Sequence, residues 1–495
     1  MLPIERLCIT IERVPHRTAI GGDGALTYRE LGAAVDAVAV ALQERDPLPG
    51  SRVGICARNT AESLIALLAT YRAGKVWVPL NPRNGRAELD AMIATTRPSI
   101  MVADESCLDR FTPPDARLIL AKTSAPGRSG SVRALMRDNA GVSPAPVARA
   151  EDDPQILKFS GGSTGTPKTV VQPVRCINAQ ADGILEFFGF DSDDVNLIAA
   201  PLTHGASCFV LPIFEAGGRH VLLEDPNPAA ILETIEREGV TTIYAPPTML
   251  YGMLGAARDG QRFPTLRHVI YSAAPMTPER IRECQRVFGP TIETAYGQVE
   301  APQIITAMRA HELLRDENLA SVGRPSTVAR VRIDDGHGGS APAGDTGEIL
   351  VSGPLLMSGY LDQPALTAET LVDGWLRTGD TGTIDERGYL YIRGRIKETI
   401  NSGGFKVHPG EVEAVLARHP AVQECAVFGV QDERWGEAVT AAVVVVEGAT
   451  VGADELVAFV KQELGSVKAP KSIRFLRELP RNAAGKVSRA DLRRL

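Results

Sequence analysis

The stretch Phe159-Ser160-Gly161-Gly162-Ser163-Thr164-Gly165-Thr166-Pro167-Lys168 carries the equipment for gripping phosphate. Glycines at 161, 162 and 165 let successive backbone N–H groups turn inward around an anion. Ser163, Thr164 and Thr166 add hydroxyl donors, and Lys168 adds a mobile positive charge. The stretch is not a Walker A loop, because that pattern closes on Gly-Lys-Ser/Thr and Pro167 stands where its last glycine belongs. A flexible Ser/Gly turn is the plain alternative for such a composition. Against it, an apolar run at residues 156–159 leads in as a strand, and Val170-Val171 follows directly.

Regular elements must position that loop and its partners. From residue 195 onward, strand patterns (195–199, 219–223, 241–245, 268–273, 291–295) alternate with helical ones. Asn227-Pro228 and Thr277-Pro278 read as helix starts, and Gly217-Gly218 and Gly289 as stops; residues 207–215 read as one helix. This alternation predicts an α/β fold with mostly parallel, helix-covered sheets, which place ligands beyond the carboxyl ends of their strands. Three strand ends there carry candidate groups: His204, Ser272-Ala273-Ala274-Pro275, and Tyr296-Gly297-Gln298-Val299-Glu300.

Residues 1–150 show the same alternation, with a helix at 31–42, a strand at 53–56 and a helix opening at Asn59-Thr60. Residues 121–150 are rich in Ser, Pro, Gly and Arg and read as an irregular connection. Residues 347–351 read as a strand, and the densest polar sequence in the chain runs from Asp373 to Glu413. We expect a large N-terminal domain over residues 1–396 and a small α+β domain over 397–495, an ordinary size for a domain.

Bulk properties exclude several classes. A chain of 495 residues is too long for one core. Fifty-three basic against sixty acidic residues, a formal charge of -7, leave no electrostatic footprint for nucleic acid. The seven cysteines are scattered without a zinc or redox spacing and read as buried free thiols. No apolar run reaches the length of a membrane span and no signal-peptide core opens the chain, so the cytoplasm is the expected location. Oligomeric state is not legible.

Taken in order, these segments resemble the acyl-adenylate-forming superfamily of acyl-CoA synthetases, stand-alone adenylation domains and luciferases. The loop containing Ser163, Thr164, Gly165, Thr166 and Lys168 is similar to its ATP-phosphate signature. By the same resemblance, Tyr296 packs on adenine and Glu300 helps hold Mg²⁺, which needs hard oxygen ligands and takes only one or two from protein carboxylates. Ser272, Ala273, Ala274 and Thr294 join that adenine and ribose region. Gly374-Trp375-Leu376-Arg377-Thr378-Gly379-Asp380 resembles the segment whose Asp accepts both ribose hydroxyls, a natural task for a carboxylate. In Tyr391-Ile392-Arg393-Gly394-Arg395-Ile396-Lys397-Glu398, Arg395 falls near the ribose and Lys397 at the hinge of a mobile small domain. Gly403-Gly404 would line the thiol tunnel. Pro480-Arg481-Asn482-Ala483-Ala484-Gly485-Lys486 resembles the loop whose lysine reaches substrate carboxylate and α-phosphate together.

The resemblance implies a two-step ligase. ATP and a carboxylic acid give an acyl-adenylate and pyrophosphate; a thiol then displaces AMP. His204, Gly205, Ala274, Gln298 and Val299 would line the acid pocket, with His204 also gating it. The family's usual Thr before the glutamate is Val299 here, which removes one hydroxyl. A small aromatic or compact apolar acid is expected, with coenzyme A as the thiol. A carrier-protein phosphopantetheine arm is the alternative acceptor, and a nucleotide-binding regulator without catalysis is the alternative of another class.

Overall fold

β-Branched apolar runs punctuated by Gly and Pro build two large sheets, seen in a computed structural model that describes residues 1–112, 117–124, 128–160, 168–481 and 487–495. Among the described residues, the first sheet has nine strands. In spatial order they are Arg324–Pro325, Thr306–Met308, Ile292–Tyr296, His268–Tyr271, Thr242–Tyr244, Val195–Ile198, Arg219–Leu222, Thr18–Ile20 and Leu26–Thr27. The six strands from Ile292–Tyr296 across to Thr18–Ile20 pair in parallel. Their carboxyl ends therefore share one edge, where His204, Ser272 and Tyr296 emerge.

The second sheet runs Gly359–Tyr360, Lys168–Pro173, Pro154–Ser160, Val76–Pro79, Arg52–Cys56, Ile100–Ala103 and Arg117–Leu120. Pro154–Ser160 and Lys168–Pro173 are antiparallel, with Ser160 opposite Lys168, so the residues on either side of the Gly/Ser stretch are held across from one another. Side-chain caps pin the intervening helices. Thr60 accepts from the Ser63 N–H, Asn227 from Ala230 and Thr277 from Arg280, each cap being worth about 1 kcal/mol.

A third sheet holds the long strand Trp375–Ile384, paired with Gly347–Ser352 and Leu390–Arg395. Every strand of the fourth, from Ile400–Ser402 to Ser472–Phe475, lies after residue 399. That sheet has its own core, in which Val412, Val427, Val439 and Leu456 are buried. The chain thus has a large N-terminal domain of mixed, mostly parallel sheets and a small C-terminal one. All seven cysteines are free, and no helix among the described residues is long and apolar enough to cross a membrane.

Two local expectations are corrected. Residues 121–150 contain a helix, Val132–Asp138, capped by Ser131 and burying Val132, Ala134 and Leu135 beside the helix Tyr28–Arg45. One short apolar stripe amid Ser, Pro and Gly gave too little periodicity to read. Residues 207–215 are not one helix but a 3-10 turn, Gly205–Phe209, followed by the helix Val210–Ala216. Pro212 has no N–H to return to the Cys208 carbonyl, so the α-helical ladder cannot run back through it. Within the polar sequence, Trp375–Ile384 and Leu390–Arg395 form strands.

Candidate active site

A buried carboxylate organises the site. Asp380 is 4% exposed. Its Oδ2 accepts from the Tyr296 hydroxyl (2.7 Å) and from Gln298 Nε2 (2.6 Å), while Oδ1 faces Arg395 Nε at 3.0 Å. Strand pairing explains the last contact, since Asp380 and Arg395 are cross-strand partners. Tyr296 ends the strand Ile292–Tyr296, and Gln298 lies in the turn beyond it. Gly297 permits that turn, because a Cβ there would collide with the Gln303 backbone.

Charge and burial reinforce the cluster. Burial, then the Asp380 charge, pushes the Tyr296 phenol well above its usual range and keeps its proton available to donate. Burial works to lower Arg395, but the charges of Asp380 and Glu398 outweigh it and raise the guanidinium. Four residues expected at the nucleotide or acid are therefore in one hydrogen-bonded group. The Gln298 amide, expected in the acid pocket, points into this group and also donates to the Thr378 carbonyl (3.0 Å).

Beside it, the Tyr296 strand and its neighbour offer an open rim. Ser272 is buried, whereas Ala273 and Ala274 are exposed just past the strand His268–Tyr271. Ala273 adopts φ 76°, a left-handed conformation that costs a residue with a Cβ about 1 kcal/mol or more. Strain of this kind persists where the surroundings fix the backbone. Thr294 is buried within its strand.

Glu300 lies on the same loop. Its Oε1 accepts from the Tyr360 hydroxyl at 3.0 Å, and its carbonyl accepts from the Met357 N–H at 2.9 Å. Among the described residues no group of three or more metal-ligating side chains converges. A cation at Glu300 would thus draw its other ligands from phosphate oxygens and water, a coordination that suits Mg²⁺. Val299 packs on the edge of the main core, and its carbonyl accepts from Gln172 Nε2 at 2.7 Å.

The His204 turn forms a second cluster. Its ring Nδ1 lies 2.8 Å from the Thr203 hydroxyl, and its carbonyl accepts from Lys158 Nζ (2.9 Å) and Ser207 Oγ (2.9 Å). Lys158 is buried and its pKa is lowered by that burial. Gly205 has to be glycine, because a Cβ would drive into the Tyr244 ring, which stacks on Phe209.

Lys397 sits in the single turn Ile396–Glu398. On one side Arg395 is held by Asp380; on the other, Glu398 accepts from Arg489 Nη1 (2.8 Å), far along the small domain. Gly403 and Gly404 form the tip of a hairpin, both with positive φ, which Gly-Gly suits. The Gly403 N–H donates to the Trp435 carbonyl (2.7 Å), and a Cβ at this position would press on that indole. Ser163, Thr164, Gly165, Thr166 and Lys486 lie outside the described residues.

Sequence reading assigned no place at the site to Tyr360, Lys158 or Gln172. A short Gly-Tyr strand 60 residues beyond Glu300 carries no local signal of that contact. Lys158 offered one signal: a charge inside an otherwise apolar strand.

Comparison with known proteins agrees with this geometry. Residues 9–361 match the AMP-binding enzyme family and residues 411–486 the AMP-binding enzyme C-terminal domain. A feruloyl-CoA synthase from Amycolatopsis sp is 36% identical over 485 residues, covering 97% of this chain and 96% of that protein. Among solved structures, the amide bond synthetase McbA from Marinactinospora thermotolerans superposes with a TM-score of 0.89 at 31% identity, over 100% of this chain and 99% of that one. The o-succinylbenzoate CoA synthetase from Bacillus subtilis, bound to its acyl-adenylate, superposes with a TM-score of 0.86 at 28% identity, over 98% and 97%. The chain therefore belongs to the AMP-binding enzyme family of adenylate-forming enzymes.

Proposed function

We propose that this enzyme is an AMP-forming ligase that activates a small aromatic or compact apolar carboxylic acid as its acyl-adenylate and transfers the acyl group to coenzyme A. The observation that carries the reading is the buried Asp380 carboxylate, gathered with Tyr296, Gln298 and Arg395 beside Glu300. A carboxylate in that setting is suited to a vicinal diol, the mark of a ribose. Similarity to a feruloyl-CoA synthase supports both the aromatic acid and the coenzyme A acceptor.

In the first step the acid carboxylate attacks the α-phosphorus of ATP, and pyrophosphate leaves. The loop from Ser163 to Thr166 and Lys168 would wrap the phosphates, with Ala273 and Tyr296 on the adenine side. Glu300 would hold Mg²⁺, which neutralises phosphate charge when bound. Lys486 would bridge the acid and the α-phosphate, countering repulsion between two anions and stabilising the crowded phosphorus. His204, Gly205 and Val299 would shape the acid pocket, with Lys158 bracing the His204 turn from behind.

In the second step the thiol attacks the acyl carbon and AMP departs. The small domain, residues 397–495, would turn about Lys397, withdrawing Lys486 and bringing Gly403 and Gly404 toward the thiol arm. The opposed ties of Arg395 and Glu398 support a pivot between them. ATP–pyrophosphate exchange over a panel of acids tests the reading. Acid-dependent exchange, strongest with small aromatic acids, is expected; no exchange with any acid would overturn it in favour of a nucleotide-binding regulator.

A further inference from the structure

Tyr360 connects two parts of the proposed phosphate site that come from different segments of the chain. Gly359–Tyr360 is the edge strand of the seven-stranded sheet and pairs with Lys168–Pro173, Tyr360 lying opposite Val170. The Leu361 N–H continues the ladder to the Thr169 carbonyl at 2.8 Å. The Tyr360 side chain is 8% exposed. From this position its hydroxyl donates to Glu300 Oε1 at 3.0 Å. Lys168 Nζ stands over its ring, 5.1 Å from the centroid.

Both contacts have physical consequences. A hydrogen bond on one carboxylate oxygen fixes the rotation of the Glu300 side chain and, among the described residues, leaves Oε2 without a partner. Partners of this kind behind a metal ligand orient it and are worth 10–100-fold in metal affinity. The ring face attracts the Lys168 ammonium and confines it beside the loop exit. Backbone anchoring is separate, since the Tyr360 N–H donates to Thr367 Oγ1 at 2.9 Å.

We propose that Tyr360 is a positioning residue that presents the free oxygen of Glu300 to the Mg²⁺ of bound nucleotide and seats Lys168 next to it. The proposal rests on the reading of Glu300 as the metal-holding carboxylate. Calorimetric titration with α,β-methylene-ATP, with and without Mg²⁺, tests it without turnover. In the intact enzyme Mg²⁺ should tighten binding. Tyr360→Phe, which keeps ring and backbone anchor, should cut that Mg²⁺-dependent gain about 10-fold. Tyr360→Leu should lose the same gain and also weaken metal-free binding, because Lys168 loses its ring. Both variants are compared at matched thermal transitions; Tyr360→His, which retains a donor, substitutes if Phe is unstable and should recover part of the gain. A full Mg²⁺-dependent gain in Tyr360→Phe, with the gain lost in Glu300→Gln, overturns the role of Tyr360 alone. A full gain in Glu300→Gln, or none in the intact enzyme, overturns the reading of Glu300 with it.

Discussion

Arg395 faces Asp380 across an antiparallel strand pair, its Nε 3.0 Å from Oδ1, while Tyr296 and Gln298 occupy Oδ2. The carboxylate is held by three groups before any ligand arrives. A ribose diol can join by displacing one of them, and Arg395, half exposed, is the natural one to move. Asp380→Asn should raise the KM for ATP about 10–100-fold, the equivalent of roughly 1.5–3 kcal/mol for hydrogen bonds to a charged group. The effect should fall on KM more than on kcat, because the ribose is bound equally in ground and transition states. An unchanged KM in a folded variant would return Asp380 to a purely structural role.

Lys158 is a buried ammonium whose acceptor among the described residues is the His204 carbonyl. Lys158→Met should loosen the His204 turn and raise the KM for the acid several-fold, about 1 kcal/mol for one hydrogen bond, with the KM for ATP unmoved. The same variant tests linkage. Burial lowers the native pKa of Lys158, so the unfolded chain binds more protons and stability rises with pH up to about the unfolded lysine value of 10.5. Denaturant midpoints measured on the alkaline side should climb less steeply with pH in Lys158→Met than in the parent. Identical slopes would show that Lys158 is not desolvated in the native state.

Val299 stands where the family's Thr is expected, and the structure packs it on the core edge with its carbonyl bonded to Gln172. If the side chain borders the acid, Val299→Thr should weaken acid binding by placing a hydroxyl against apolar atoms, with ATP untouched. If it borders the adenylate phosphate, the same change should strengthen adenylation by about 0.5–1.5 kcal/mol. Packing favours the first outcome. No change in either constant would show that Val299 touches neither.

Two pieces of the candidate site among the described residues were legible because they sit where sequence punctuates structure: the Tyr296–Glu300 turn after a strand, and Gly379-Asp380 within another. Glycine, proline and capping residues mark such places locally, as Thr60, Asn227 and Thr277 do for helices. What stayed hidden were contacts across the fold. Tyr360 meets Glu300 only because the edge strand Gly359–Tyr360 adds to Lys168–Pro173, and Gln298 turns to Asp380 through a long-range pairing. The helix Val132–Asp138 was hidden for the opposite reason: it is too short to show a period.

On the proposed reading, Lys486 acts in the first step and not in the second. Lys486→Ala should slow adenylation by orders of magnitude, since one lost charge contact in the transition state costs roughly 3–4 kcal/mol. Thioester formation from a supplied acyl-adenylate should be nearly unaffected. Single-turnover assays of each half-reaction check this, and equal loss in both would remove the support for rotation about Lys397.

The most direct measurement follows one oxygen atom. If the acid is activated as an acyl-adenylate, a carboxylate oxygen becomes the bridge between acyl carbon and α-phosphorus and leaves with AMP. Turnover of an acid labelled with ¹⁸O in its carboxylate, analysed by mass spectrometry, should give AMP carrying one labelled oxygen and pyrophosphate carrying none. Label in inorganic phosphate with ADP as the co-product, or thioester formed with unlabelled AMP, would contradict adenylation as the activating step.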